Sequence, residues 1–273
     1  MRERSSQEPR PTEARNEKAR GIEAFTTRQI LELMNDEDRQ VASAVRATLP
    51  AIEKAVDEIV EALNAGHHLR YVGAGTSGRL GVLDASEAPP TFGVDEDLVH
   101  GIIAGGDVAL RHAVEGAEDD SSAGARAARD QVRAGDVLVG ISASGRAKFV
   151  TAAMVMAREL GARTVALTCD DSSPLAKDAD IAIAVDVGPE VLAGSSRLKA
   201  GTATKLVLNM LSTAAMIRSG RTRGDLMVDL RPTNAKLKER AIRMVRDEAG
   251  VSEDEARARL EAADWSVRKA LEP

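Results

Sequence analysis

The chain has 273 residues, 43% hydrophobic and 29% charged, enough apolar material for one large core or two small ones and too much for wholesale disorder. Its 37 Lys and Arg against 43 Asp and Glu give a net charge of -6, and only 2% of residues are aromatic. That balance excludes a broad basic face and a stacking platform, so no nucleic-acid partner is expected. The single cysteine, Cys169, excludes an intrachain disulfide and a cysteine-only metal site, and His67, His68, His100 and His112 lack metal-ligand spacing. The longest uncharged run, Leu206 to Ile217, falls short of the roughly 18 apolar residues of a membrane span, so no membrane partner is expected. The charged start has no secretory apolar stretch, and the expected location is the cytoplasm.

Residues 1–20 are polar, carry two prolines and read as a flexible N-terminal arm. Helices are expected from Thr27 to about Asn35, from near Asp36, and after Pro50, the third with Ile52, Val56, Ile59, Val60 and Leu63 at helical spacing and Gly66 as its stop. The period then changes. Leu69–Gly73 reads as a strand before a Gly-rich loop and a helix. Leu98–Ala104, Asp136–Ser142, Arg163–Cys169 and Ile181–Asp186 read as further strands, most of them filled on both faces with Val, Ile and Leu. Helices are expected through His112 and over Lys148–Leu160, so strand and helix alternate. The alternation predicts an α/β fold, a doubly wound parallel sheet flanked by helices. A long helix is expected over Leu198–Ser219, then short amphipathic pieces at Glu253–Ala262 and Trp265–Leu271. The tail resembles a small ubiquitin-associated-type helical fold, which carries no function by itself. The expected division is an arm over 1–20, a main domain with N-terminal helices over 21–232, and a C-terminal helical module over 233–273.

Two loops look alike: Gly73-Ala-Gly-Thr-Ser-Gly-Arg79 and Gly140-Ile-Ser-Ala-Ser-Gly-Arg146. Each follows a strand and precedes a helix, with a hydroxyl side chain just before its last glycine. Glycine lets backbone approach a phosphate, hydroxyls donate to it, and a helix N-terminus offers free N–H groups. One copy reads as ordinary turn chemistry; two in matching contexts point to one site for a phosphorylated small molecule. Glu87 stands just before Pro89-Pro90, which are expected to end any helix there. Glu118 lies among Glu115, Asp119 and Asp120. By spacing alone both glutamates read as solvated charges.

The run YVGAGTSGRLGVLDASEAPPTFGV (Tyr71 to Val94) closely resembles the signature of the N-acetylmuramic acid 6-phosphate etherase family, a branch of the sugar isomerase (SIS) domain proteins. The resemblance continues through GIIAGGDVALRHAVEGAEDD, VLVGISASGRAKFV, GSSRLKAGTATKLVLNMLSTAAMIRSG and GDLMVDLRPTNAKL, and includes the early TEARN and MNDED pieces. It implies an SIS-type sheet and cleavage of the D-lactyl ether of N-acetylmuramic acid 6-phosphate in cell-wall recycling. It also implies a cytoplasmic homodimer that needs no metal and no organic cofactor. The family's two catalytic glutamates fall on Glu87, the proton donor, and Glu118, the candidate base. Its phosphate placement falls on Thr76, Ser77, Gly78, Ser142, Ser144 and Gly145. Ser195, Ser196 and Lys199 open the long helix and read either as anion contacts or as capping residues. Glu190 reads either as a contact to sugar hydroxyls or as a surface loop residue, His112 as a structural histidine or a support for Glu118, and Cys169 as core. A non-catalytic sugar-phosphate sensor and an aldose–ketose isomerase are the alternatives. The sensor would not need both glutamates, and the isomerase needs no acid for a lactyl leaving group.

Overall fold

A computed structural model describes residues 11–230, 232 and 234–272. Five runs rich in Val, Ile, Leu and Ala form strands: β1 (Leu69–Gly73), β2 (Val99–Ile103), β3 (Val137–Ile141), β4 (Arg163–Thr168) and β5 (Ile181–Ala184). They make one parallel sheet in the order β2-β1-β3-β4-β5. Every residue of β1 and β3 is buried, because helices cover both faces. The expected strands all form, several of them shortened at their ends where the backbone turns into connections.

The helices are α1 (Thr27–Asp38), α2 (Val41–Ala47), α3 (Leu49–Asn64), α4 (Gly75–Phe92), α5 (Val108–Arg111), α6 (Ser121–Gln131), α7 (Lys148–Glu159), α8 (Pro174–Asp178), α9 (Lys199–Arg218), α10 (Ala235–Ala249), α11 (Glu253–Ala262) and α12 (Val267–Ala270). Strand alternation sorts the core into two layers. Tyr71, Val139, Val165 and Ile183 join Ile59 of α3, Ala85 of α4 and Leu208 of α9 on one face. Val72, Leu138 and Ala166 join Ala128 of α6 and Phe149 and Met154 of α7 on the other. A third core gathers Val245 of α10, Leu260 of α11 and Val267 of α12 around Val228 and Leu230, ahead of the boundary expected at residue 233. Among the described residues no helix is long and apolar enough to cross a membrane.

Helix boundaries follow local chemistry in most places. Thr26 and Gln29 form a capping box at the start of α1. The helix runs through Asp36 to Asp38, so the second helix begins at Val41 rather than near Asp36. Pro50 sits in the first turn of α3. Gly66 (φ 83°) stops it, with the N–H groups of Gly66 and His67 bonded back to Leu63 and Ala62. Pro89 and Pro90 do not end α4, contrary to expectation. The helix continues to Phe92 and stops at Gly93 (φ 64°), whose N–H reaches the Pro89 carbonyl at 2.9 Å. Proline's fixed φ is helical, and burial of Ala88 and Phe92 holds this last turn against the core despite the lost N–H groups.

The arm also differs from expectation. Residues 1–10 lie outside the described residues, but the following stretch is docked. Thr12 is buried, its carbonyl accepts the Gly194 N–H (3.1 Å), and the Asn16 amide donates to the Pro189 carbonyl (3.2 Å) and to Glu37 (2.9 Å). Its polar side chains satisfy a turn and a buried carboxylate, contacts that composition does not reveal.

The tightest helix pair gives a test of the packing. A Cβ added to Gly124 of α6 would lie 2.0 Å from the Phe149 carbonyl oxygen of α7, a backbone atom that no rotamer change relieves. Gly124→Ala should lower stability by about 1–3 kcal/mol, read as a lower urea midpoint. A midpoint equal to wild type would contradict this packing.

Candidate active site

The chain leaves β1 toward one edge of the sheet and β3 toward the other, so a crevice opens beyond the carboxyl ends of these central neighbours. Helices start there without side-chain caps. Ala74 precedes α4, Ala147 precedes α7 and Leu198 precedes α9, and none of these can accept a hydrogen bond through its side chain. By contrast, Thr26, Asp120, Ser173, Asn234, Ser252 and Ser266 cap α1, α6, α8, α10, α11 and α12. Uncapped N–H groups leave the starts of α4 and α7 able to receive an anion.

Thr76, Ser77 and Gly78 are not in a loop but in the first turn of α4, which begins two residues after β1. That short crossing depends on glycine. A Cβ on Gly78 would lie 2.7 Å from the Gly73 carbonyl oxygen and 2.6 Å from Ile103 Cγ1. The second loop is pinned to the exit of β4. The Ser142 N–H donates to Leu167 (3.0 Å), the Cys169 N–H to Ala143 (2.9 Å) and the Leu175 N–H to Gly145 (3.2 Å). Gly145 has φ 63°, and a Cβ there would meet Ser173 Oγ at 2.1 Å. Ser142 is buried and Ser144 half-buried between these elements.

The start of α9 joins the same rim. A Cβ on Gly201 would lie 3.7 Å from Thr76 Cγ2, which brings the Ser195–Ser196 segment beside the first loop. Here the structure supplies protein partners to two candidates. Glu190 is buried rather than a surface residue, and its carboxylate accepts the N–H groups of Lys199 (3.1 Å) and Ala200 (2.9 Å), capping α9 from outside the helix. The Lys199 ammonium is buried against Glu37 Oε2 at 2.6 Å. Glu37, which is not among the candidate residues, also receives Lys18 (2.8 Å) and Asn16 (2.9 Å). Burial opposes its charge, but the hydrogen bonds of Lys18, Lys199 and Asn16 and the Lys199 charge outweigh that and hold it at about 2.

Glu118 sits on a 3-10 turn, Ala117–Asp119, and is exposed. Neighbouring Asp119 pairs with Lys148, the first residue of α7, at 3.3 Å. Arg79 of α4 donates to the carbonyls of Leu110 (3.1 Å) and His112 (3.4 Å), bracing the segment that leads to Glu118. His112 itself is exposed and serves through this carbonyl. Glu118 therefore shares the rim with both loops. Glu87 does not. It is exposed on α4, twelve residues past Gly75, about 18 Å along the axis at 1.5 Å per residue. Within one chain the two glutamates are not brought to one point.

Three buried side-chain polar atoms lack a partner among the described residues: Thr12 Oγ1, Arg146 Nε and Ser219 Oγ. Two of them lie on this rim. Thr12 lines a small cavity with Cys169, Glu190, Ser196 and Ala200, while Arg146 reaches Asp170 at 3.1 Å through Nη2 alone. Cys169 is core, as expected; burial first, then the charges of Glu190 and Asp186, pushes its thiol up to about 12.

Comparison with known proteins identifies the family and the fold. The model of the glucokinase regulatory protein N-terminal SIS domain matches residues 51–158, and that of the SIS domain matches residues 119–214. The chain is 54% identical to the N-acetylmuramic acid 6-phosphate etherase of Jannaschia sp. (strain CCS1), over 95% of this chain and 83% of that protein. It is 51% identical to the protein of the same name from Yersinia pestis (strain Pestoides F), over 95% and 88%. The chain belongs to the N-acetylmuramic acid 6-phosphate etherase family. Phosphoheptose isomerases share its fold: that of Neisseria gonorrhoeae superposes with a TM-score of 0.54 at 21% identity, covering 70% of this chain and 98% of the other. The Francisella tularensis enzyme gives 0.52 at 21%, over 70% and 98%.

In this family member the Glu37 carboxylate makes a pH-dependent contribution. Its folded value lies below the ordinary 4.5, so the stabilisation is complete above that pH and is lost as pH falls toward 2. Glu37→Gln should cost roughly 3 kcal/mol at pH 6 and clearly less at pH 3, read from urea midpoints at each pH. An equal loss at both values would contradict the ion-pair origin.

Proposed function

We propose that this chain cleaves the D-lactyl ether of N-acetylmuramic acid 6-phosphate, giving N-acetylglucosamine 6-phosphate and D-lactate. The observation that carries this reading is the shared name of relatives 51–54% identical over 95% of the chain. A non-catalytic sensor is not favoured, since these relatives are named for an enzyme.

An unactivated ether resists displacement by water. In the open-chain sugar, however, the C3 ether lies beta to the C1 aldehyde, which acidifies the C2 proton. One carboxylate removes that proton, the C2–C3 double bond forms, and the C3–O bond breaks as a carboxylic acid protonates the departing lactate oxygen. Water then adds at C3, a proton returns to C2, and the net change is hydrolysis. Every step is a proton transfer, an elimination or an addition, so the scheme uses no metal or organic cofactor. We assign the base to Glu118 and the acid to Glu87, which must hold opposite protonation states in the reacting complex. The phosphate is assigned to the uncapped starts of α4 and α7, with Thr76, Ser77, Gly78, Ser142, Ser144 and Gly145 around it. Ser195 and Ser196 border the sugar, and Glu190 and Lys199 hold the helix start behind them.

We further infer a homodimer whose site takes Glu87 of the partner subunit. The distance of Glu87 from the start of its own helix supports this, as do large apolar side chains left exposed on α4 and α9: Leu83 (54%), Met210 (37%) and Ile217 (49%). The chain is placed in the cytoplasm, in cell-wall amino-sugar recycling; its one thiol, free and buried, suits a reducing compartment.

In water labelled with oxygen-18, the label should enter C3 of the glucosamine product and not the lactate. Glu87→Ala and Glu118→Ala should each lower kcat by about 10²–10⁴-fold. Mixed and reassociated, the two inactive variants should recover about a quarter of wild-type activity, because half the dimers regain one intact site. Label in the lactate would overturn the elimination, and no recovery on mixing would overturn the shared site.

A further inference from the structure

We propose that the docked N-terminal segment Thr12–Lys18 is a positioning strap for the sugar-phosphate site, with Thr12, Asn16 and Glu37 as its positioning residues. The inference rests on the proposed location of that site. The turn between β5 and α9 carries Glu190, Ser195 and Ser196, and the strap grips it at several points. The Gly194 N–H donates to the Thr12 carbonyl (3.1 Å), and the Glu13 carboxylate lies 3.3 Å from where a Gly194 Cβ would stand. Asn16 Nδ2 donates to the Pro189 carbonyl (3.2 Å). It also donates to Glu37, which holds the ammonium of Lys199, the first residue of α9. A displaced strap would therefore free the turn at Pro189 and Gly194 and take the Asn16 and Lys18 donors away from Glu37.

Thr12 adds an independent observation. Its hydroxyl is buried with no partner among the described residues, in the cavity formed with Glu190 and Ser196, where a side chain serving the fold alone would be apolar or bonded. It stands behind the residues assigned to border the sugar, placed to orient Ser196 when ligand occupies the rim. Coupling between sites is reciprocal, so if the strap holds the site, bound sugar phosphate must hold the strap. Arg15 is exposed within it and offers a tryptic bond whose cleavage reports strap opening.

The experiment uses the full chain with N-acetylglucosamine 6-phosphate, the product, which cannot re-form the ether without lactate. Saturating ligand should slow tryptic cleavage after Arg15 by about fivefold or more, read by intact mass, in samples whose binding is measured by calorimetry. Thr12→Val removes an unpartnered hydroxyl and should leave the melting temperature unchanged or higher. It should nevertheless raise KM about fivefold with kcat within about twofold, and Thr12→Ser should restore KM. Asn16→Ala should raise KM similarly and speed cleavage after Arg15. Binding without protection, or a wild-type KM in Thr12→Val, would overturn the strap and leave the etherase reading standing. Absence of calorimetric binding would overturn the sugar-phosphate reading and this coupling with it.

Discussion

The approach of Gly73 to Gly78 sets the geometry on which the site depends. The first glycine ends β1 and the second lies in the first turn of α4, and each would place a Cβ within 2.6–2.7 Å of the other's backbone. Because neither has one, α4 can begin two residues after the strand. Its first N–H groups then open at the point where the strand order reverses. A longer crossing would carry those groups away from β3 and its Ser142–Gly145 loop. The close contact thus gives the crevice expected from sheet topology a definite set of free N–H groups, the ones to which we assign the phosphate.

Polar satisfaction divides the molecule along the same line. The starts of α1, α6, α8, α10, α11 and α12 are closed by Ser, Thr, Asp and Asn side chains, whereas α2, α3 and α5 have no side-chain cap. At the crevice, α4 and α7 begin behind alanine, and α9 is closed by Glu190 from a preceding turn. The charge buried there is balanced within the fold: Lys199 faces Glu37, and Glu37 is shared with Lys18 and Asn16. A buried carboxylate with several donors is stable; with one removed, the remaining charges face the cost of desolvation. The stability of the α9 start is consequently tied to an N-terminal segment with little hydrophobic content.

The central strands β1 and β3 are legible because they are buried on both faces, and the less buried β2 and β5 still form where Val and Ile concentrate. The two loops were legible because glycine and hydroxyl residues recur in the same context, and Ala74 and Ala147 at the cap positions were a further signal. Other elements had no such local mark. Helix α6 buries mainly Gly124 and Ala128, so its periodicity is faint. The end of α4 obeys core packing over the local preference of proline. Glu37 acquires its partners from Asn16, Lys18 and Lys199, which no window along the chain brings together. The place of Glu87 twelve residues along α4, far from the helix start, follows from the rise of the helix and is independent of where the helix ends.

The far end of α4 has a consequence for the chain's last helices. Gly93 is packed so closely on the Asp229 carbonyl that a Cβ there would lie 1.9 Å away. The Asp229 carboxylate is in turn held by both arms of the Arg268 guanidinium, at 2.6 and 2.8 Å. Arg268 also reaches the Gly220 carbonyl at 2.8 Å, just past the end of α9. A single side chain on α12 thus buttresses the ends of the two helices whose outward faces we assign to the dimer. The terminal module works as a keystone set at the base of the arch rather than as an appendage, and substitutions at its core would be felt at the ends of α4 and α9.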